Sequence, residues 1–190
     1  PIKQSKIGLE MAIRRLKQND KFNIVLFNDR YSSYAAIPVL ATAKEKDKAI
    51  RYVRRLSAEN GTEMYPALKH ALKNFRSNNS VLKQLIFLTD GAVTEESRLF
   101  SLINSELKTA RLFTIGIGSA PNSFFMSRAA EMGRGSHIHI GDMDEISTRM
   151  GELFSKIENP AITDLELKLP KGFNAEVYPN PLPDLYVGDP

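Results

Sequence analysis

The sequence predicts an α/β protein: a doubly wound, mostly parallel sheet with helices on both faces. Two observations carry this expectation. Short apolar runs at 22–27, 85–88 and 111–117 are bounded by polar or turn residues, as strands buried on both faces are. Between them lie segments whose apolar residues recur at helical spacing. Regular strand–helix alternation of this kind builds parallel sheets.

In order, residues 2–18 read as a helix with Leu9, Ala12, Ile13 and Leu16 on one stripe and Lys and Arg opposite. A buried strand is expected at 22–27, then a turn at Asn28-Asp29-Arg30. An edge strand follows over 31–39, interrupted by Pro38. A second helix covers 44–56, with Ile50, Val53 and Leu56 inward. The polar loop 57–63 leads into a third helix, with Pro66 in its first turn, where the missing N–H costs nothing. The strand 85–88, a helix over 95–107, a strand over 111–117, a short helix over 123–132 and a strand over 136–140 come next. Asp142 is placed to cap the last helix, whose inward residues are Ile146, Met150, Leu153, Phe154 and Ile157. After Asn159-Pro160 the pattern changes: 163–169 alternates apolar and polar residues, 175–178 is a second extended piece, and prolines become frequent. The expected division is a domain over 1–159 and a β-rich, Pro-rich extension over 160–190.

Composition narrows the function. Apolar residues make up 42% and charged residues 25% of 190 residues, ordinary globular values. The net charge of +4 is mild, and the Lys and Arg fall on helix faces without interleaved aromatics, so nucleic acid is not an expected partner. The absence of cysteine removes disulfides, thiolate metal sites and a Cys nucleophile. Gly116-Ile117-Gly118 resembles the start of a dinucleotide loop, but Pro121 stands where a third glycine is needed. No phosphate-cradling loop ending in Lys and Ser or Thr is present. An enzyme therefore has no motif to rest on. His137 and His139, two apart on a strand, share a face, but two imidazoles leave a metal's coordination incomplete, and a half-exposed outer strand explains them. His70 is expected at the surface.

What remains is Asp90 at a strand's carboxyl end, with Gly91 to let the chain turn away, and Thr62 in the loop before the third helix. Ligands of open α/β sheets collect at that edge. A carboxylate and a hydroxyl there suit a hard divalent cation. Each is also common without any metal.

These motifs carry a resemblance. Leu88-Thr89-Asp90-Gly91 ending a strand, Asn60-Gly61-Thr62 opening a helix, and the run 22–27 upstream of both resemble a von Willebrand factor A domain. The likeness is greater still to the A domains of inter-alpha-trypsin inhibitor heavy chains and their bacterial relatives, which Glu158-Asn159-Pro160-Ala161 and Leu182-Pro183-Asp184-Leu185-Tyr186 also fit. The resemblance implies a metal-ion-dependent adhesion site in which Thr62 and Asp90 are metal ligands, with Asn60, Gly61 and Gly91 framing the ligand-binding loops. An Asp-x-Ser-x-Ser motif completes the set in that family, and it is absent here. The family pattern places that motif, on the first central strand, just before Pro1, so the chain reads as a fragment that begins one strand late.

The expected consequence is a gap between the strands 22–27 and 85–88. The two strands then pair directly, the segment 163–169 fills the gap, a second copy donates a strand, or the segment before Pro1 occupies it. By the same resemblance, the intact domain holds Mg²⁺, Mn²⁺ or Ca²⁺ and binds a protein partner's Asp or Glu carboxylate without catalysis. These residues alone are expected to hold no metal. An exported or cell-surface parent is implied, and a homo-oligomer or strand swap is open. The alternative is a structural scaffold of the same fold with no working metal site.

Overall fold

The computed structural model describes residues 2–57, 61–75, 81–91, 93–118, 122–158, 160–163, 165–172, 175–178 and 182–186. Helix α1 (Ile2–Arg15) is followed by four short strands, β1 (Lys21–Phe22), β2 (Val25–Phe27), β3 (Tyr31–Ser33) and β4 (Val39–Leu40). Helices α2 (Ala43–Arg55) and α3 (Met64–Lys73) lead to strand β5 (Gln84–Thr89). Helix α4 (Glu96–Glu106), strand β6 (Arg111–Ile117), helix α5 (Ser123–Met132) and strand β7 (Arg134–Ile140) follow. A 3-10 turn (Met143–Glu145) leads into α6 (Ile146–Glu158), and strands β8 (Pro160–Ile162) and β9 (Leu185–Tyr186) come last.

The strands β5, β6 and β7 form a parallel sheet in that order, as the α/β expectation requires. Every residue of β6 is buried because the strand has neighbours on both edges and helices on both faces. Its residues alternate between two cores. Leu112 faces the core of α3, α4 and α5, whereas Phe113, Ile115 and Ile117 face α6. A third core joins α1 and α2 around Ile13, Ile24, Ala49, Ile50 and Val53. Local chemistry starts these helices where the sequence suggests. Thr42 Oγ1 accepts the Glu45 N–H at 3.2 Å, and Asn122 Oδ1 accepts that of Phe125 at 3.0 Å. Asp142 makes no side-chain cap; a 3-10 turn intervenes before α6.

The run 22–27 departs most from expectation. It is two short strands, not one buried strand. β1 pairs antiparallel with β4 and β2 with β3. Asn23 divides them, because its side chain takes up backbone groups: Oδ1 accepts the N–H groups of Ile24 (2.9 Å) and Ala35 (3.1 Å), and Nδ2 donates to Ala35 O (2.8 Å). All of β2 is only half-buried, because it lacks a neighbour on the β5 side. No ladder joins β2 to β5. A cleft of about 1710 Å³ lies there, between Leu26 and Phe27 on one wall and Leu85 and Phe87 on the other, with Gly8 and Leu9 of α1 and Ala67 and Ala71 of α3 along it. The Phe27 and Phe87 rings stack across it with centroids 5.6 Å apart and planes 2° from parallel. Thus the two strands do not pair directly. Nor do the described residues of 163–169 fill the space; they form no strand, and Leu167 and Leu169 stay exposed, because an alternating pattern without a partner edge has nothing to bury against. The described part of 175–178 is likewise not a strand.

Helix α1 fixes the directions. Gln4 Nε2 donates to Gly141 O at 3.4 Å, just past the end of β7. Arg15 pairs with Glu158 at the end of α6. So α1 runs antiparallel to β5–β7, from their carboxyl edge to their amino edge. Helix α2 runs back beside it, since Lys6 Nζ meets Arg54 O at 2.9 Å and Lys46 Nζ meets Leu16 O at 2.9 Å. Arg54 and Glu10 form a bidentate pair between them, holding the Glu10 carboxyl below its usual range.

At the amino edge Asp184 reaches back to Arg111, the first residue of β6. The guanidinium donates to both carboxylate oxygens, one at 3.0 Å, and to Thr109 O at 2.5 Å. Both side chains are buried, at 2% and 0% exposure. Tyr186 OH donates to Arg134 O at 3.0 Å, and its ring packs edge-on against Phe113. Breaking a buried pair strands a charge, so Asp184→Ala is expected to lower the unfolding free energy by about 3–5 kcal/mol. The urea midpoint will measure this, and an unchanged midpoint would show the pair to be dispensable.

Candidate functional site

The carboxyl edge of the sheet gathers three loops. The first follows β2, the second precedes α3 and the third follows β5. Gly61 in the second loop has φ +103°, a conformation that favours glycine. A Cβ there would lie 2.5 Å from Asp29 N and 2.8 Å from Asp29 Cα, so the first two loops touch backbone to backbone. The Glu63 N–H donates to Asn28 O at 2.7 Å across the same contact. Asn28 Oδ1 accepts the Arg30 N–H at 2.9 Å, closing the first loop on itself.

Thr62 follows directly and is half-buried, and Asp90 follows β5 and is exposed. The third loop is braced by the buried Thr89, whose Oγ1 accepts the Gly91 N–H at 3.2 Å. Gly91 does not occupy the left-handed region, so its glycine character is not needed to turn the chain, contrary to expectation. Nor is its lack of a side chain needed for space. A Cβ at 91 would stand 3.5 Å from Thr62 Cγ2 and 3.6 Å from Thr62 Oγ1, ordinary contact distances. The Thr62 hydroxyl therefore abuts the Asp90-Gly91 turn. Asn60 lies outside the described residues. A further link on this edge joins the starts of α4 and α5, where Asn122 Nδ2 donates to Glu96 Oε1 at 2.5 Å.

The structure thus brings together Gly61, Thr62 and Gly91, with Asp90 at the same turn. The sequence reading set Asn28 in a turn that frames the site and Thr89 in the strand-end motif; it missed that their bonds hold the loops in place. An Asn directly after a strand, followed by Asp29, was the signal available for the first. The donor set is one hydroxyl and one carboxylate. Its hard-oxygen chemistry fits a divalent cation, but two groups fall short of the six to eight or so oxygens such ions take. Among the described residues no cluster of three or more His, Cys, Asp or Glu is arranged to hold a metal.

The histidines belong elsewhere. His137 Nδ1 lies 3.0 Å from Thr114 Oγ1 and 3.3 Å from Thr114 O, whereas His139 is exposed. Burial pushes the His137 pKa below its ordinary 6.5. His70 is not simply at the surface: it is half-buried, 2.8 Å from Ser33 Oγ and packed on the Tyr31 ring.

A family model described as von Willebrand factor type A domain matches residues 1–137. A von Willebrand factor A domain-containing protein of Dictyostelium discoideum is 27% identical over 190 residues, covering 100% of this chain and 21% of that protein. Inter-alpha-trypsin inhibitor heavy chain H3 of Mesocricetus auratus is 24% identical over 199 residues, covering 98% of this chain and 22% of that protein. The chain thus spans about a fifth of the length of these curated relatives. Among solved structures, a von Willebrand factor type A protein from Catenulispora acidiphila superposes with a TM-score of 0.76 at 23% identity, over 85% of this chain and 39% of that one. Proximal thread matrix protein 1 of the mussel byssus, with a zinc-occupied MIDAS motif, gives 0.61 at 18% identity over 81% and 42%. The manganese-loaded Plasmodium vivax TRAP protein gives 0.60 at 22% identity over 77% and 63%.

Two tests follow from the geometry. In Gly61→Ala the added Cβ must displace Asp29 backbone at a strained φ, which is expected to cost about 1–3 kcal/mol in thermal unfolding. Gly91→Ala, with only ordinary contacts, is expected to fold normally. For His137 the unfolded chain takes up a proton first, because the folded pKa is the lower one. Stability is therefore expected to be full above pH 6.5 and to fall as pH drops through that value, and His137→Gln is expected to flatten that part of the pH profile.

Proposed function

Because the chain belongs to the von Willebrand factor type A family, we propose that it is a non-enzymatic protein-binding module that takes a partner's Asp or Glu carboxylate at the carboxyl edge of its sheet. The observation that carries this reading is the approach of the Thr62 side chain to the Gly91 backbone, next to the exposed Asp90. Zinc and manganese in two structural neighbours support a divalent cation as the bridging group. Magnesium, a hard cation, also suits a hydroxyl and a carboxylate. When bound, the cation supplies an open position for the partner's oxygen. Thr62 and Asp90 would supply two of the oxygens that hold it, with water and further oxygen groups completing the shell. Thr89 and Asn28 act through position, since the first braces the Asp90 turn and the second ties the neighbouring loop to the start of α3.

The scaffold reading draws on one observation, the donor set of only two groups. Titration calorimetry of Mn²⁺ into the full-length protein separates the two. Saturable binding that Asp90→Ala removes is expected. Binding that survives Asp90→Ala, or no binding to the unaltered protein, would overturn the assignment of this site.

A further inference from the structure

The charge of this molecule is concentrated on one face. Helices α1 and α2 carry ten of the chain's 26 Lys and Arg but three of its 22 Asp and Glu. They hold +7 of a net charge of +4, so the rest of the chain is net −3. On α2, Lys44, Lys48, Arg51 and Arg55 are all exposed and recur three and four residues apart. They make a single cationic stripe about 16 Å long.

The stripe ends at the amino edge, where the chain turns from α1 into β1 and from β4 into α2. Backbone bonds hold that corner together, with Asp20 N–H on Lys17 O at 3.0 Å and Ala41 N–H on Asp20 O at 2.8 Å. Lys21 and Leu40 are ladder partners. Around it stand Lys44, the first cation of the stripe, and two more exposed cations, Lys17 and Lys21, with two large aliphatic side chains, Ile37 (71% exposed) and Leu40 (49% exposed). The acids nearby are mostly engaged. Asp20 accepts the Lys17 N–H at 2.7 Å, and Glu45 accepts from Tyr34 OH and Lys48 Nζ; Asp47, on the flank of the stripe, is exposed.

We propose that this corner is a contact for an anionic lipid bilayer. Ile37 and Leu40 enter the headgroup boundary while Lys17, Lys21 and Lys44, at the near end of the α2 stripe, face the charged lipids. Aliphatic tips ringed by cations are the pattern of interfacial insertion, and a dissolved polyanion gives Ile37 and Leu40 nothing to insert into. Because α1 and α2 reach from this corner to the opposite edge, docking here would leave Thr62 and Asp90 facing away from the bilayer. The proposal stands independently of the metal-site reading.

Vesicle flotation tests it, using phosphatidylcholine with about 30% phosphatidylglycerol against phosphatidylcholine alone at about 0.15 M salt. The protein is expected to float with the anionic vesicles, not with the neutral ones, and to be released by high salt. Ile37→Ser with Leu40→Ser is expected to lower the partition at least about tenfold with an unchanged circular dichroism spectrum. Lys17→Glu with Lys44→Glu is expected to abolish it. No flotation with anionic vesicles would overturn the proposal. So would wild-type flotation of the double-Ser variant together with equally tight binding to duplex DNA, which would mark a general cationic face.

Discussion

The rest of the structure depends on the absence of a ladder between β2 and β5. Two strands of one layer stand on either side of a cleft, and everything else either spans it or works around it. Helix α1 lies along one side, tied to α2 through Glu10 and Arg54 and to α6 through Arg15 and Glu158. Such exposed pairs are each worth little, so the fastening rests on several contacts together with the apolar stripe of α1. The Phe27–Phe87 stack closes the other side. Beyond the cleft, β6 has neighbours everywhere and is wholly buried. The difference between half-buried β2 and fully buried β6 is a difference in neighbours, since β2 is wholly apolar and β6 carries Arg111 and Thr114.

That contrast explains what could be read in advance. The runs 85–88 and 111–117 read correctly as strands, but only the second is buried throughout; Leu85, Ile86 and Leu88 are half-buried, because β5 borders the cleft. The run 22–27 has the same look, yet it breaks at Asn23, whose amide competes for the backbone. Helix boundaries fell within a few residues where a side chain such as Thr42 or Asn122 caps, and less well at Asp142, where it does not. The candidate site was legible as residue types only. Thr62 and Asp90 stand 28 positions apart in sequence, and nothing in the spacing says that Thr62 packs beside Gly91. Arg111 and Asp184 were invisible for the same reason, being 73 residues apart.

The two edges of the sheet are chemically unlike. At the carboxyl edge, loops are held by backbone bonds and a left-handed glycine, and they set oxygen groups outward. At the amino edge, cations and aliphatic side chains surround one corner while Arg111 and Asp184 close another. Helices α1 and α2 join the two edges, so movement of one end relative to the other requires those helices to slide against an interlocked apolar core, and packed cores resist continuous deformation.

The Arg111–Asp184 pair also acts as a tether. With the Tyr186 hydroxyl on Arg134 O, it fixes the segment 182–186 to the first residues of β6 and β7, 73 and 52 positions back in the chain. Closing loops of that length costs conformational entropy, which these buried contacts must offset.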